Sequence, residues 1–173
     1  MIRATVGTQL PFDRMLLALD TWAALNPTIP VLAQTGRTAR RYAHLTMVEQ
    51  LDQPRFVEAV TQARVIVSHA GMGTILTALE LGKPLILMPR RADLGEHRND
   101  HQRDTAAEMA RLSNVTVVED SARLCEAVSA ALSRSERGLS ILDRGTASSS
   151  LLEAIHGFIW SGADAAPAQA WRQ

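Results

Sequence analysis

The stretch that decides the fold is residues 63–91, with the sequence ARVIVSHAGMGTILTALELGKPLILMPRR. It contains, in order, an apolar run, a glycine-bearing segment, a helix-forming run and a second apolar run (residues 65–67, 68–74, 75–81 and 85–88). Gly82 and Pro84 separate the helix-forming run from the second apolar run. This order predicts strand, loop, helix and strand, which together make one βαβ unit with two parallel strands.

The glycine-bearing segment of this unit favours the binding of an anion. In open α/β sheets, ligands bind at the carboxyl ends of the strands, where a glycine-rich turn meets a helix N-terminus. Gly71 and Gly73 lack a Cβ atom, so a bulky anion can approach the backbone closely. Thr74 can offer its hydroxyl group, and the imidazole of His69 can add a further donor. We therefore expect this segment, Met72 included, to hold a diphosphate.

The glycine pattern alone also allows a simpler interpretation. Many βα turns carry two glycines only because helix and strand must pack closely. The spacing here is neither the dinucleotide fingerprint nor a Walker loop, since no Gly-Lys-Ser/Thr follows. The His at the strand end, the Thr at the helix start and the Gly-Lys-Pro segment that ends the helix favour the phosphate interpretation.

The remainder of the chain alternates between apolar runs and amphipathic segments. Further strands are predicted at residues 1–6, 30–33, 45–48 and 115–118, and further helices after residue 11 and around residues 56–60, 101–112, 124–132 and 151–159. Residues 90–100 and 134–146 are polar and predict loops. This alternation predicts an α/β fold, a single Rossmann-like domain over residues 1–161 whose mainly parallel sheet of about six strands is flanked by helices. Residues 162–173 predict a loosely ordered tail.

Small or polar residues also follow the first two predicted strands. Gly7 and Thr8 follow the first strand, and the segment from Gln34 to Gly36 follows the second. Because the carboxyl ends of parallel strands meet at one edge of a sheet, we expect these segments to share a cleft with the glycine-bearing segment.

Composition excludes several classes of protein. The 173 residues include eighteen basic and eighteen acidic side chains, so no net charge attracts nucleic acid or an anionic membrane. An aromatic content of 4% also argues against a surface for stacking bases. The single cysteine, Cys125, excludes an intramolecular disulfide and fits a reducing compartment. With neither a signal-like N-terminus nor a long apolar run, the sequence predicts a cytoplasmic protein.

A second polar cluster, residues 96–102, follows the last strand of the central unit and allows three interpretations. His97 and His101 are four residues apart and would share a face on a helix, as metal ligands do, but the segment lacks the zinc pattern H-E-x-x-H. Alternatively, Asn99 or Asp100 only caps a surface helix. The third interpretation, which we favour, is that the amide, imidazole and carboxylate groups bind sugar hydroxyls beside a diphosphate.

These motifs resemble the C-terminal, nucleotide-sugar-binding half of GT-B glycosyltransferases, and in particular family 28. The resemblance rests on HAGMGT at residues 69–74, GKP at 82–84, MPR at 88–90, NDHQ at 99–102, and the exits TVGT and QTG at 5–8 and 34–36. It spans roughly residues 2–112. Since a full GT-B enzyme has two such domains, the chain looks like the small subunit of a split transferase. The EHRNDHQ run and MPRR are more similar to the bacterial group that transfers glucuronate in exopolysaccharide synthesis than to the group that acts in dolichol-linked glycan assembly.

The resemblance implies a role for individual residues. The diphosphate of a UDP-sugar would contact His69, Gly71, Met72, Gly73 and Thr74, together with Gly7 and Thr8. The sugar would contact Asp100, His101 and Gln102. The family usually has a glutamate for the ribose six residues after the first loop glycine. That position is Thr77 here, and the nearest acid is Glu80, so the candidates for ribose and uridine are Thr77, Gln34 and Gly36.

Two arginines follow the second apolar run and have two possible roles. Arg90 and Arg91 either bind the carboxylate of glucuronate, which suits the guanidinium group, or lie in a solvated loop. The sequence reveals no convincing catalytic base, which the resemblance places on a membrane-anchored partner that also binds the lipid-linked acceptor.

The resemblance therefore implies the donor-binding subunit of a two-component inverting glycosyltransferase that transfers glucuronate from UDP-glucuronate to a lipid-linked sugar in exopolysaccharide biosynthesis. Such a hexosyltransferase would need its partner, require no metal or other cofactor and lie at the inner membrane through that partner. A non-transferring nucleotide-sugar-binding or regulatory protein, and a UDP-sugar epimerase or hydrolase, are the alternatives.

Overall fold

The computed structural model describes residues 1–136, with side chains through residue 135. The helix expected at residues 151–159 and the tail expected at 162–173 lie outside this part of the chain. The strands are β1 Ile2–Thr5, β2 Val31–Gln34, β3 Thr46–Val48, β4 Val65–Ser68, β5 Leu85–Leu87 and β6 Val115–Val117. The helices are α1 Asp13–Leu25, α2 Gln53–Gln62, α3 Met72–Glu80, α4 His101–Met109 and α5 Ser121–Glu136.

The six strands form one sheet in the order β3-β2-β1-β4-β5-β6, and every neighbouring pair is parallel. From β1 the chain builds outward to β3 on one side and then from β4 to β6 on the other. The order therefore reverses between β1 and β4, which is where open α/β sheets form a ligand crevice. The predicted α/β class, parallel sheet and six strands are confirmed.

Most strand residues are apolar and buried because helices cover both faces of the sheet. Ile2, Ala4 and Val65 lie in a core cluster that also contains the apolar sides of α1 and α5. The apolar spacing in α1 arises because the helix buries one side, formed by Met15, Leu16, Leu19 and Trp22 among others. No helix within residues 1–136 is both long and apolar enough to cross a membrane.

Some details of the segments differ from the sequence-based expectation. Helix α3 begins at Met72 instead of residue 75, because Gly71 takes the extended N-cap conformation and Gly73 is already helical. Helix α5 continues to Glu136, past the expected start of a loop at residue 134. The loop after β5 contains one 3-10 turn, Ala92–Leu94, which ends at Gly95 with a φ of 68°.

Candidate functional site

A cleft of about 410 Å³ opens at the carboxyl ends of β1 and β4, where the strand order reverses. Its lining comes from four parts of the chain: the β1 exit with Gln34, the start of α2, the β4 exit with α3, and the region after β5. The lining residues are Thr5, Val6, Gly7, Thr8, Gln9, Leu10, Gln34, Leu51, Gln53, Phe56, His69, Gly71, Met72, Gly73, Thr74, Thr77, Arg90, His97 and Gln102. None of them is an aspartate or glutamate. The cleft is therefore suited to an anionic ligand.

The N-terminus of α3 forms one wall of the cleft. The amide of Ile75 makes the first bond of the helix, to the Gly71 carbonyl at 3.2 Å, and no side chain of the described residues caps the helix. The amides of Met72, Gly73 and Thr74 precede this bond and have no carbonyl within the helix to bind. Aligned peptide dipoles add partial positive charge at this end. Backbone N–H groups can therefore hold a phosphate here.

Gly73 leaves open space in front of these amides. A Cβ atom placed on Gly73 would meet no heavy atom within 4 Å, although the residue is exposed and lines the cleft. The missing Cβ atom of Gly73 therefore leaves the backbone accessible, and close packing of helix against strand does not require it. This favours the phosphate interpretation of the glycine pattern over the simpler one.

His69 lies between two other glycines. A Cβ atom on Gly7 would be 2.7 Å from the imidazole Cε1, and one on Gly71 would be 2.3 Å from its Nε2. Gly7 also has a φ of +79°, which favours glycine. Burial, aided by the nearby charge of Arg90, lowers the pKa of His69 to about 4. The ring is therefore neutral near pH 7 and offers one N–H donor without a charge.

Arg90 is a buried residue at the wall of the cleft. It is 2% exposed, and its guanidinium donates to the carbonyls of Val6, Leu10, Pro11 and Glu96. The guanidinium carbon also lies 4.8 Å from the centroid of the Phe12 ring. Burial lowers its pKa to about 10, so it stays charged. The interpretation of Arg90 as a solvated residue is wrong, because it is buried and its donors fasten the β1–α1 loop to the end of β5. Its role as a carboxylate ligand stays a prediction, since Arg90 also lines the cleft.

Arg91 is also unsuited to bind a ligand in the cleft. Its Nε donates to Asp93 Oδ1 at 3.0 Å and its Nη2 to Asp93 Oδ2 at 2.5 Å. This pairing raises the pKa of Arg91 and lowers the pKa of Asp93. Arg91 does not line the cleft. It is a loop residue already paired with a carboxylate, which corrects the expected role in sugar binding.

One of the three residues expected at the sugar lies in the cleft. The Oε1 atom of Gln102 accepts from the Arg90 amide at 3.1 Å, so its NH₂ group is left for a ligand. Asp100 instead accepts from the Ala92 amide at 3.1 Å, and Asp100 and His101 are exposed outside the cleft. His97 lines the cleft and contacts Asn99 through Nδ1.

The structure also corrects the metal interpretation of the two histidines. Helix α4 begins at His101, so His97 precedes it and the two imidazoles do not share a helical face. Within residues 1–135, no group of three or more metal-ligating side chains forms a candidate metal site.

Two of the three residues expected at ribose or uridine line the cleft. Thr77 donates to the Gly73 carbonyl at 3.0 Å, and Gln34 is 4% exposed. Gly36 lines a separate hollow of about 620 Å³ with Arg37, Glu49 and others, so its expected place in the cleft is wrong. Glu80 is exposed and does not line the cleft.

Comparison with known proteins shows which family the chain belongs to. The glycosyltransferase family 28 C-terminal domain matches residues 5–154. The chain belongs to this family. The family 28 domain described here is the C-terminal, Rossmann-like half of a GT-B fold, as the sequence motifs predict. No curated protein sequence matches the chain.

Several solved structures share the fold of this family 28 domain. The glycotransferase of kitacinnamycin superposes with a TM-score of 0.57 at 20% identity, covering 79% of this chain and 36% of its own. The UDP-GlcNAc 2-epimerase from Neisseria meningitidis, bound to UDP-GlcNAc, gives a TM-score of 0.56 at 15% identity, covering 89% and 43%. ALG13 gives a TM-score of 0.52 at 17% identity, covering 79% and 85%. The chain thus spans less than half of the first two proteins and most of the third.

Five cleft residues of the family 28 domain were not expected from its sequence: Gln9, Leu10, Leu51, Gln53 and Phe56. Asp52 caps α2 by accepting from the Arg55 amide at 2.9 Å, and Pro54 occupies the first turn. The sequence signal for the residues near α2 was this cap. Asp-x-Pro before an amphipathic run is typical of a helix start, and in a parallel α/β fold helices start at the same sheet edge as the cleft.

Proposed function

We propose that this family 28 domain is the donor-binding subunit of a two-component inverting glycosyltransferase, and that its cleft binds a UDP-sugar. The single observation that carries the proposal is the open N-terminus of α3 in a cleft whose lining has no carboxylate. A diphosphate placed there would accept from backbone amides and from the NH₂ group of Gln102. No desolvated carboxylate would repel it.

The leaving group of the transfer would be stabilised at the same place. When a UDP-sugar reacts, negative charge develops on the departing diphosphate and positive charge on the anomeric carbon. Amides fixed by the β4–α3 turn need no reorganisation as that charge develops, and preorganised donors of this kind are worth about 3 kcal/mol each in the transition state. The imidazole of His69, held between Gly7 and Gly71, would add a neutral donor.

The acceptor hydroxyl requires a base that we assign to a partner subunit. Of the cleft residues, only His69 and His97 carry an imidazole, and burial lowers the pKa of His69 to about 4, which makes it a weak base. The Nδ1 atom of His97 contacts Asn99. The likeness in fold to ALG13, of which the chain covers 85%, supports a second subunit that works with this domain. We place that partner, with the lipid-linked acceptor, at the inner membrane.

We propose UDP-glucuronate as the donor and exopolysaccharide synthesis as the process, on the basis of the sequence resemblance in residues 88–102. With Arg90 and Arg91 both engaged elsewhere, the carboxylate would rely on neutral donors such as Gln102 and Thr8. We further propose that donor binding needs no divalent metal, because the lining offers amides, hydroxyls and imidazoles but no carboxylate to hold one.

Calorimetric titration of the purified chain with UDP, UDP-glucuronate and UDP-glucose tests the donor site, with and without EDTA. We expect UDP to bind, UDP-glucuronate to bind more tightly than UDP-glucose, and EDTA to change neither affinity. Transfer to a lipid-linked acceptor should appear only when membranes containing the partner are added. Failure to bind UDP would refute the proposal. Release of UDP and free sugar by the chain alone would also refute it and would favour a hydrolase or epimerase.

A further inference from the structure

Arg3 is a buried cation at the centre of the sheet. It lies on β1 between Leu32 of β2 and Ile66 of β4, and it is 0% exposed. Its Nη1 donates to the Leu32 carbonyl at 3.5 Å and its Nη2 to Gln34 Oε1 at 3.3 Å, whereas its Nε has no hydrogen-bond partner. Burial lowers its pKa to about 10, so the side chain keeps its charge at neutral pH.

The charge of Arg3 has no carboxylate to balance it among residues 1–135, and no acidic neighbour contributes to its pKa. A central strand covered by helices normally carries an apolar residue at such a position, and an apolar residue would avoid the cost of burying a charge. The guanidinium does contact two residues that line the cleft. These are Gln34, through the hydrogen bond, and Phe56, whose ring centroid lies 6.0 Å from the guanidinium carbon.

Contact with Arg3 fixes which end of the Gln34 side chain faces the cleft. A guanidinium has only donors, so the amide atom that faces it must be the oxygen. The NH₂ group of Gln34 therefore lies on the opposite side, where Nε2 donates to the Gly7 carbonyl at a long 3.4 Å. Gln34, Gly7 and Phe56 all line the cleft. The second N–H of the Gln34 amide is therefore a candidate donor to a flat base that binds beside Phe56.

We propose that Arg3 is a positioning residue that fixes the polarity of Gln34, and that the Gln34 NH₂ group selects a nucleotide whose base presents a keto oxygen at that point. The inference rests on the proposed function and assigns the base specificity of that site. Uracil and cytosine have nearly the same shape, but uracil carries an acceptor oxygen where cytosine carries an amino donor. A fixed N–H donor favours uracil, because cytosine would leave two donors facing each other.

Calorimetric titration with UDP and CDP tests this selection. We expect the wild-type chain to bind UDP about tenfold more tightly than CDP, the size typical of one unsatisfied buried donor. In Gln34→Glu the new carboxylate pairs with Arg3 and presents an oxygen to the cleft, so the UDP/CDP ratio should fall to about one or reverse. Gln53→Glu is the matched control, because it adds the same charge to the cleft lining without contact to Arg3. It should weaken both nucleotides and leave the ratio unchanged.

Two variants of Arg3 separate positioning from a merely structural role. Arg3→Lys keeps a side chain that has only donors, so it should preserve the UDP/CDP ratio. Arg3→Met removes the donor to Oε1 and leaves only the long 3.4 Å bond from Nε2 to the Gly7 carbonyl to orient the amide. The UDP/CDP ratio should therefore fall even where circular dichroism shows the fold intact. Equal effects of Gln34→Glu and Gln53→Glu on the ratio, or a preserved ratio in Arg3→Met, would overturn the inference while UDP binding stands. If the wild-type chain binds neither nucleotide, the proposed function fails and the inference fails with it.

Discussion

Alanine placed at the two glycines of the β4–α3 turn should have opposite effects, because the two missing Cβ atoms face different surroundings. At Gly71 the atom would lie 2.3 Å from Nε2 and 2.7 Å from Cε1 of His69. At Gly73 it would meet nothing within 4 Å. Gly71→Ala therefore tests the packing of His69, and Gly73→Ala tests access to the helix amides.

The expected sizes follow from these distances. To accept alanine at Gly71, the imidazole must move by about 1 Å to reach normal contact. Gly7 lies on its other side, and such overpacking costs about 1–3 kcal/mol of unfolding free energy. Gly73→Ala removes a helical glycine and should stabilise the fold by about 0.5–1 kcal/mol. Its methyl group would hold a phosphate away from the amides, and losing one hydrogen bond to a charged group costs about 1.5–3 kcal/mol, or about 10- to 100-fold in UDP affinity.

Urea denaturation gives the free energy of unfolding of each variant, and UDP titration gives its affinity for UDP. The decisive pattern is a Gly73→Ala protein that is at least as stable as wild type but binds UDP weakly. Gly71→Ala should lose stability. If Gly73→Ala binds UDP as well as wild type does, the diphosphate does not lie against these amides. If Gly71→Ala is as stable as wild type, the glycines do not confine His69.

Three further predictions concern charged groups of the site. The pKa of His69 is about 4 in the folded chain and 6.5 in the unfolded chain, so only the unfolded state binds a proton between these values. The contribution of His69 to the free energy of unfolding should be fully present above pH 6.5 and be lost as the pH drops toward 4, by at most about 3 kcal/mol. Urea denaturation at a series of pH values should show this loss in the wild-type chain and not in His69→Gln. Arg90→Met leaves several buried carbonyls without donors and should lower the free energy of unfolding by about 3 kcal/mol, measured by thermal unfolding. Arg90→Lys should recover part of this loss. A loss no larger than that of a surface variant would contradict the role of Arg90. Arg91→Ala should change stability by less than about 0.5 kcal/mol and leave the UDP-glucuronate/UDP-glucose affinity ratio unchanged, and a changed ratio in competition binding would restore its role at the sugar.

The sequence predicts those parts of the site that depend on neighbouring residues. The β4–α3 turn was predicted from residues 65–81 alone, because a buried strand, its glycine exit and the following helix are local features. The parallel sheet followed from the alternation of strands and helices. The start of α3 was misplaced by three residues because glycine is a poor helix former, yet Gly73 is helical here.

The misassigned residues are those whose environment comes from distant parts of the chain. Arg90 follows a strand and precedes polar residues, which in sequence indicates a solvated loop. It is buried because the carbonyls of Val6, Leu10 and Pro11, some eighty positions earlier, converge on its guanidinium. Phe56 was expected only as a residue of a short helix, and it reaches the cleft because the start of α2 lies at the same edge of the sheet as the exits of β1 and β4.

The cations of the site are engaged in ways that leave little free positive charge for a ligand. The guanidinium of Arg90 binds carbonyls, that of Arg3 lies behind Gln34, and His69 is neutral near pH 7. In the proposed function, affinity for a diphosphate would then come mainly from the backbone amides at the start of α3 and from the NH₂ groups of Gln34 and Gln102. Such a site recognises its ligand by the geometry of donors more than by net charge. This accounts for a cleft that is suited to an anion in a chain whose formal net charge is zero.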